Sequence, residues 1–157
     1  MQKVALRPVG DADRAFLAHV YASTRADELA ILPWTDEQKA AFLAHQFEAQ
    51  DAHYRSNYGD ATFDVIEVDG EPAGRLYVHR GPREIRVVDI ALTPPFRGRG
   101  LGTRVLKDVI AEAEAGGRKL SIHVEMHNPA RRLYERLGFR PVAGGDGVYL
   151  LMERAPT

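Results

Sequence analysis

Val4 and Leu6 alternate with polar neighbours ahead of Pro8, the period of a short strand. The spacing then lengthens to that of a helix carrying Phe16, Leu17, Val20 and Tyr21, which Asp11 or Asp13 can cap. From Arg25 to Trp34 no clean period is present. Beyond it Thr35-Asp36-Glu37-Gln38 matches the S/T-x-x-E/Q capping box, and Phe42, Leu43, Phe47 and Tyr54 recur at helical spacing, predicting a second helix to about residue 57.

There the period drops to two. Phe63, Val65, Ile66 and Val68 lead into the hairpin signal Asp69-Gly70, with Leu76, Tyr77 and Val78 on its far side. A second turn at Gly81-Pro82 precedes the run from Ile85 to Leu92, which Pro94-Pro95 ends, so the middle of the chain reads as an antiparallel meander.

Gly100 to Ala115 returns to helical spacing, with Leu101, Val105, Val109 and Ala113 on one stripe and Gly116-Gly117 as the stop. Leu120, Ile122 and Val124 alternate as a strand. Asn128-Pro129 sets an N-cap residue before a proline at the first helical position, with Leu133 and Leu137 as the expected buried stripe and Gly138 as the terminator. Two closing strands, near Phe139 to Ala143 and Val148 to Glu153, flank the turn Gly144-Gly145-Asp146-Gly147. The order is β-α-α-β-β-β-α-β-α-β-β, an α+β domain with a mixed sheet.

Composition narrows the chemistry. The 157 residues are 45% hydrophobic, enough for one core, and no linker or repeat divides them. Lys and Arg number 21 against 22 Asp and Glu, a net charge of -1, so there is no general attraction to nucleic acid or anionic lipid and any bound anion must be held locally. The absence of cysteine excludes thiolate metal sites and a cysteine acyl-enzyme. The six histidines show no H-E-x-x-H spacing, so no metal is expected. The charged start Met1 to Pro8 and the lack of a long apolar run predict a cytoplasmic chain without a membrane span.

One segment concentrates charge and flexibility. Arg97-Gly98-Arg99-Gly100-Leu101-Gly102 follows a meander strand and opens a helix, where unpaired amides and the helix dipole favour a phosphate. A tight turn with solvated arginines would use the same residues. A Rossmann fingerprint would instead follow the first strand of a βαβ unit.

Through R-x-x-G-x-G at Arg97, Gly100 and Gly102, preceded by Ile90-Ala91-Leu92-Thr93-Pro94, the chain resembles the GNAT superfamily of acetyltransferases. A second likeness lies in Asn128-Pro129-Ala130-Arg131-Arg132-Leu133-Tyr134-Glu135-Arg136-Leu137-Gly138-Phe139, similar to that family's N-x-x-A/R-x-x-L-Y-x-x-x-G-F segment. The resemblance implies one GNAT domain over residues 1–157, with about seven mostly antiparallel strands and about four helices. Residues 1–60 would serve the acceptor and 83–140 would hold acetyl-CoA. The strands are expected to part in a V into which pantetheine inserts, pairing with the backbone of Ile90, Ala91 and Leu92, with an amide near Leu92 facing the thioester carbonyl. Arg97, Gly98, Arg99, Gly100, Leu101, Gly102 and Thr103 would hold the pyrophosphate. Asn128 would cap its helix and also meet the pantetheine amide.

The resemblance also implies a general acid at Tyr134, whose bland alternative is an extension of the Leu133 and Leu137 stripe. The base stays open between His123, which faces away from the apolar side of its strand, and Asp89 or Glu84 acting directly or through a water. Arg25, Glu28, Trp34 and Tyr54 are candidates for the acceptor, Glu28 holding a cationic amine and Trp34 forming a wall or sealing the core. The expected reaction is acetyl transfer from acetyl-CoA to the primary amine of a small molecule, peptide or protein, in a ternary complex. The alternative is a non-catalytic acyl-CoA-binding regulatory module. Monomer and homodimer are both compatible, since Val148, Tyr149, Leu150 and Leu151 suit either a core or a partner strand.

Overall fold

The opening alternation forms strand β1 (Val4–Pro8), in a computed structural model that describes residues 2–125, 128–142 and 149–157. A 3-10 turn, Asp11–Asp13, leads into helix α1 (Arg14–Ala30). The helix therefore runs on through Arg25 to Ala30, where the sequence shows no period. In that part only Leu29 is buried, and Arg, Ala, Glu and Leu sustain the helix by backbone propensity rather than by a stripe.

Asp13 stands at the start of α1 but makes no side-chain cap to it. Its carboxylate accepts two bonds from the Arg7 guanidinium, at 2.9 and 2.8 Å, and a third from the Gly10 amide at 2.7 Å. The bidentate fork outcompetes a single helical N–H. Arg7 first, and the Gly10 amide second, hold the Asp13 carboxyl down to about 2. A depressed carboxyl contributes stability above its unfolded value near ~3.9 and loses it as pH falls through the folded value. Asp13→Asn should therefore cost about 1–2 kcal/mol at neutral pH, with Arg7's partial exposure keeping the loss at the lower end. Urea unfolding checks this: the gap between the two proteins should close between pH 4 and pH 2.

Helix α2 (Asp36–Asn57) begins on the expected box, the Gln38 amide donating to Thr35 Oγ1 at 3.1 Å and the Thr35 amide to Gln38 Oε1 at 2.9 Å. It packs on α1 through Leu17, Tyr21 and Phe47, with Phe16, Ala18 and Leu43 around them. Strand β2 (Thr62–Val68) pairs antiparallel with β1 from Val4↔Val68 to Pro8↔Asp64. Asp69 and Gly70 turn the chain with φ of 52° and 83°, the two positive values of a tight hairpin, into β3 (Glu71–Arg80).

Then follow β4 (Glu84–Leu92), a 3-10 turn Pro94–Phe96, α3 (Leu101–Ala115), β5 (Lys119–Glu125), α4 (Ala130–Arg136), β6 (Arg140–Pro141) and β7 (Tyr149–Arg154). Among the described residues the seven strands form one sheet in the order β1-β2-β3-β4-β5-β7-β6. β4 and β5 run parallel, while β5–β7 and β6–β7 are antiparallel. The expected α+β layout is the one observed. Ala143, the turn Gly144 to Gly147, and Val148 lie outside the described residues.

Two compact units make up the chain, one running to Leu76 and including Ile90–Arg97, the other comprising Tyr77–Asp89 and Gly98–Thr157. The first is centred on the α1–α2 core. The second buries the α3 stripe Leu101, Val105, Leu106, Val109 and Ala113, together with Ile85, Val87, Leu120, Ile122 and Val124. In α4 the expected stripe is shifted: Leu133 and Leu137 are half-buried and Tyr134 is buried. A helix of seven residues docks by one turn, and Phe139, its ring centroid 6.0 Å from that of Tyr134, fixes which one. No helix among the described residues is long and apolar enough to cross a membrane.

Candidate active site

In the second unit the glycine-rich segment ends in a helix start of defined geometry. Gly98 and Gly100 have φ of 72° and 76°, the left-handed region that costs other residues roughly 1–2 kcal/mol. Gly102 is different: it is helical, and a Cβ there would meet only Leu133 Cδ2 at 3.8 Å, so the third glycine is not demanded by backbone conformation. The first intrahelical bond of α3 runs from the Arg104 amide to the Gly100 carbonyl at 3.0 Å, leaving the amides of Leu101, Gly102 and Thr103 without helical acceptors. Leu101's side chain is buried, so it offers a ligand only its amide. Donors grouped at the positive end of a 15-residue helix suit a phosphate.

The β4–β5 ladder is short. Its register runs from Glu84↔Lys119 to Val87↔Ile122, and both strands continue past the last pair, β4 to Leu92 and β5 to Glu125. Asp89, two residues beyond Val87, lies by strand alternation on the face of Ile85 and Val87. His123, one beyond Ile122, lies on the opposite face with Ser121 and is exposed. Asp89 and His123 are thus on different sides of the sheet.

Tyr134 belongs with Asp89. Burial first, and the charge of Asp89 second, push its phenol up to about 12. Glu84 sits at the paired end of the ladder, where its carboxylate accepts from the Ser121 hydroxyl, from Arg86 Nη2 at 3.2 Å and faces Lys119 Nζ at 3.6 Å. Burial would raise its pKa, but these partners together hold it below the ordinary carboxylate range, which makes it a weak base. Asn128 Oδ1 accepts the Ala130 amide at 2.9 Å, so the cap occupies the oxygen and leaves the side-chain NH2 as the group available to a ligand.

In the first unit the end of β4 is clamped. The Thr93 amide and hydroxyl both donate to the Ala73 carbonyl, at 2.9 and 3.2 Å. Arg97 Nε donates to the Leu92 carbonyl at 2.8 Å, while its Nη2 reaches the Ser23 hydroxyl at 3.2 Å. Arg97, expected to attract a phosphate, here ties β4 to α1. Gly74 of β3 was not a sequence candidate, yet a Cβ on it would fall 2.1 Å from the Ala91 carbonyl oxygen and 3.0 Å from Leu92 Cα. The Ala91 carbonyl fills the space a side chain would need, and the sequence signal was a lone glycine inside a strand.

The expected acceptor residues stand in several local contacts. Glu28 Oε1 pairs with Arg25 Nη1 at 3.1 Å, and Arg25 lies 5.6 Å over the Tyr21 ring. Trp34 does not seal the core: it is 39% exposed and meets the Phe42 ring edge-on at 5.3 Å. Tyr54 is half-buried beside His53. None of Arg25, Glu28, Trp34 and Tyr54 lines the hollow between α1 and α2. No group of three metal-binding side chains occurs among the described residues.

Comparison with known proteins fits this layout. The sequence model of the acetyltransferase (GNAT) family matches residues 24–139. A Bacillus subtilis (strain 168) protein, provisionally named a ribosomal-protein alanine N-acetyltransferase, is 32% identical over 111 residues, 69% of this chain and 66% of its own length. The chain spans 23% and 38% of two further curated relatives, from Mycobacterium leprae and Methanocaldococcus jannaschii. The crystal structure of the PaiA N-acetyltransferase of Thermoplasma acidophilum in complex with coenzyme A superposes with a TM-score of 0.72 at 17% identity, over 98% of this chain and 99% of that one. An acetyltransferase of Thermus thermophilus gives 0.70 at 22% identity, over 98% and 97%.

Proposed function

The chain belongs to the acetyltransferase (GNAT) family, and from that premise we propose that it transfers the acetyl group of acetyl-CoA to a primary amine by direct attack. The observation that carries this reading is the buried Tyr134 phenol, raised first by burial and second by the charge of the Asp89 carboxylate, a proton donor and a proton acceptor coupled through charge. In this reading residues 83–140 hold acetyl-CoA and residues 1–60 serve the acceptor.

Acetyl-CoA supplies an activated thioester and a pyrophosphate. The amides of Leu101, Gly102 and Thr103 hold the pyrophosphate at the start of α3, the left-handed Gly98 and Gly100 let the loop present them, and Arg99 adds charge. Ile90, Ala91 and Leu92 offer backbone groups to the pantetheine, the amide near Leu92 polarises the acyl carbonyl, and the Asn128 NH2 meets a pantetheine carbonyl.

Asp89 accepts a proton from the acceptor ammonium, directly or through a water, and the freed nitrogen lone pair forms the C–N bond as the C–S bond breaks. Tyr134 donates to the departing sulfur. A thiol pKa near ~8.5 lies below a phenol held at about 12, so the proton transfer is uphill while Asp89 is ionised. Protonation of Asp89 removes one cause of that rise, so taking the amine proton makes Tyr134 a better acid when sulfur needs it. Of the two protons the ammonium gives up, one leaves through Asp89 to solvent and the other replaces the phenolic proton given to sulfur. His123, on the opposite sheet face, and the ion-paired Glu84 are the weaker choices of base.

Thiol release from acetyl-CoA, with mass spectrometry of the product, tests the reading over free amino acids, their amides, spermidine and peptides with open N-termini. Turnover with any of them supports it. Tight CoA binding with no thiol released by any amine would instead favour the non-catalytic acyl-CoA-binding module.

A further inference from the structure

α1 and α2 leave an open hollow of ≈ 370 Å3 between them, a volume suited to a small ligand. Ala26, Leu29 and Leu43 contribute apolar wall, the polar lining is Ser23, His19 and Lys39, and no carboxylate takes part. Lys39 is half-buried, and among the described residues no carboxylate lies in ion-pair range of its ammonium. A partly desolvated cation beside an apolar surface favours an anionic partner, and a hollow without acidic groups repels a polycation.

Two neighbouring features point the same way. Phe42 follows Lys39 by three residues on α2 and stacks edge-on against Trp34, and both rings are exposed, at 38% and 39%. Phe42 thus leaves apolar surface exposed on the helix that also carries Lys39 and Leu43. On the hollow's other side, Ser23 shares the Arg97 guanidinium with the Leu92 carbonyl, so one arginine head separates the hollow from the end of β4.

We propose that this hollow selects the acceptor, and that the acceptor is a free amino acid with an apolar side chain, its carboxylate paired with Lys39. The proposal rests on the acetyl-transfer reading, because it takes the Leu92 end of β4 as the place where the amine meets the thioester. The side chain lies on the Ala26, Leu29 and Leu43 wall, and the carboxylate turns to the ammonium. A polyamine has no group for Lys39, and a peptide N-terminus has an amide where the carboxylate should be.

Leucine and phenylalanine are compared with leucinamide, phenylalaninamide and spermidine in the thiol-release assay, using the native chain and Lys39→Met. The acids should be acetylated with KM at least about tenfold below that of their amides, and Lys39→Met should raise KM for the acids by about the same factor and far less for the amides. Calorimetric binding of N-acetylphenylalanine in the presence of CoA gives a second reading without turnover and should be lost in Lys39→Met. Equal use of acid and amide, turnover of spermidine alone, or binding indifferent to Lys39 overturns the assignment while leaving acetyl transfer standing. Lys39-dependent binding of N-acetylphenylalanine with no acetylation of any amine keeps the hollow as a carboxylate site and removes the catalytic reading.

Discussion

Replacing Tyr134 with phenylalanine should lower kcat for acetyl transfer by about 100-fold or more, with the affinity for CoA within about twofold of the native value. Phenylalanine keeps the ring that packs on Phe139, so the fold is retained and only the phenolic proton is lost. The uphill proton transfer from a phenol at about 12 sets the expected size of the effect: the hydroxyl matters chiefly as charge develops on sulfur. Steady-state kinetics with calorimetric CoA binding read the two quantities separately. The phenol stays protonated across the neutral range, so loss of rate on acidification should come from the amine and its base, and kcat should not fall from Tyr134 ionisation below about pH 10. A Tyr134→Phe enzyme with native kcat would remove Tyr134 from the reaction.

Gly74→Ala carries the second large effect, and it opposes the usual sign. An alanine in a strand normally gains several tenths of a kcal/mol by narrowing the unfolded ensemble. Here the added methyl meets the Ala91 carbonyl oxygen at 2.1 Å, and that carbonyl cannot easily move away. Thr93 is bound twice to Ala73 and Leu92 to Arg97, so the chain is anchored within two residues of the contact. Overpacking against backbone costs about 3 kcal/mol, larger than the entropic gain. The melting temperature should fall by roughly 6–12 °C. Because the Ala91–Leu92 backbone is proposed to polarise the thioester, a displacement near ~1 Å should also cost about 100-fold in kcat at temperatures where the protein stays folded. Full activity below the transition would mean that this backbone does not position the reaction.

Hydrophobic period and turn chemistry were enough to read the element order. The Thr35 box, the Asp69-Gly70 hairpin and the α3 stripe are local, each written in residues a few positions apart, and each formed as expected. The end of α1 was not legible, because exposed alanine and glutamate, with a half-buried arginine, extend a helix by propensity without marking a face. The α4 stripe differs from the Leu133 and Leu137 spacing for a related reason: in so short a helix the buried turn is chosen by a residue outside the helix, Phe139, which packs on Tyr134.

For the candidate site, the chain by itself determined the loop and helix start proposed to cradle a phosphate, since positive φ at Gly98 and Gly100 and open amides at a helix start follow from residue type and neighbours alone. Only the tertiary structure decided what depends on contacts distant in sequence. It brought the charge of Asp89 to bear on Tyr134, turned Arg97 toward Ser23, pressed Ala91 against Gly74, and placed Lys39 in the lining of the hollow between α1 and α2. Spacing along a chain fixes which way a side chain leaves its own backbone. Which group it meets there is fixed by packing between elements that the sequence holds apart.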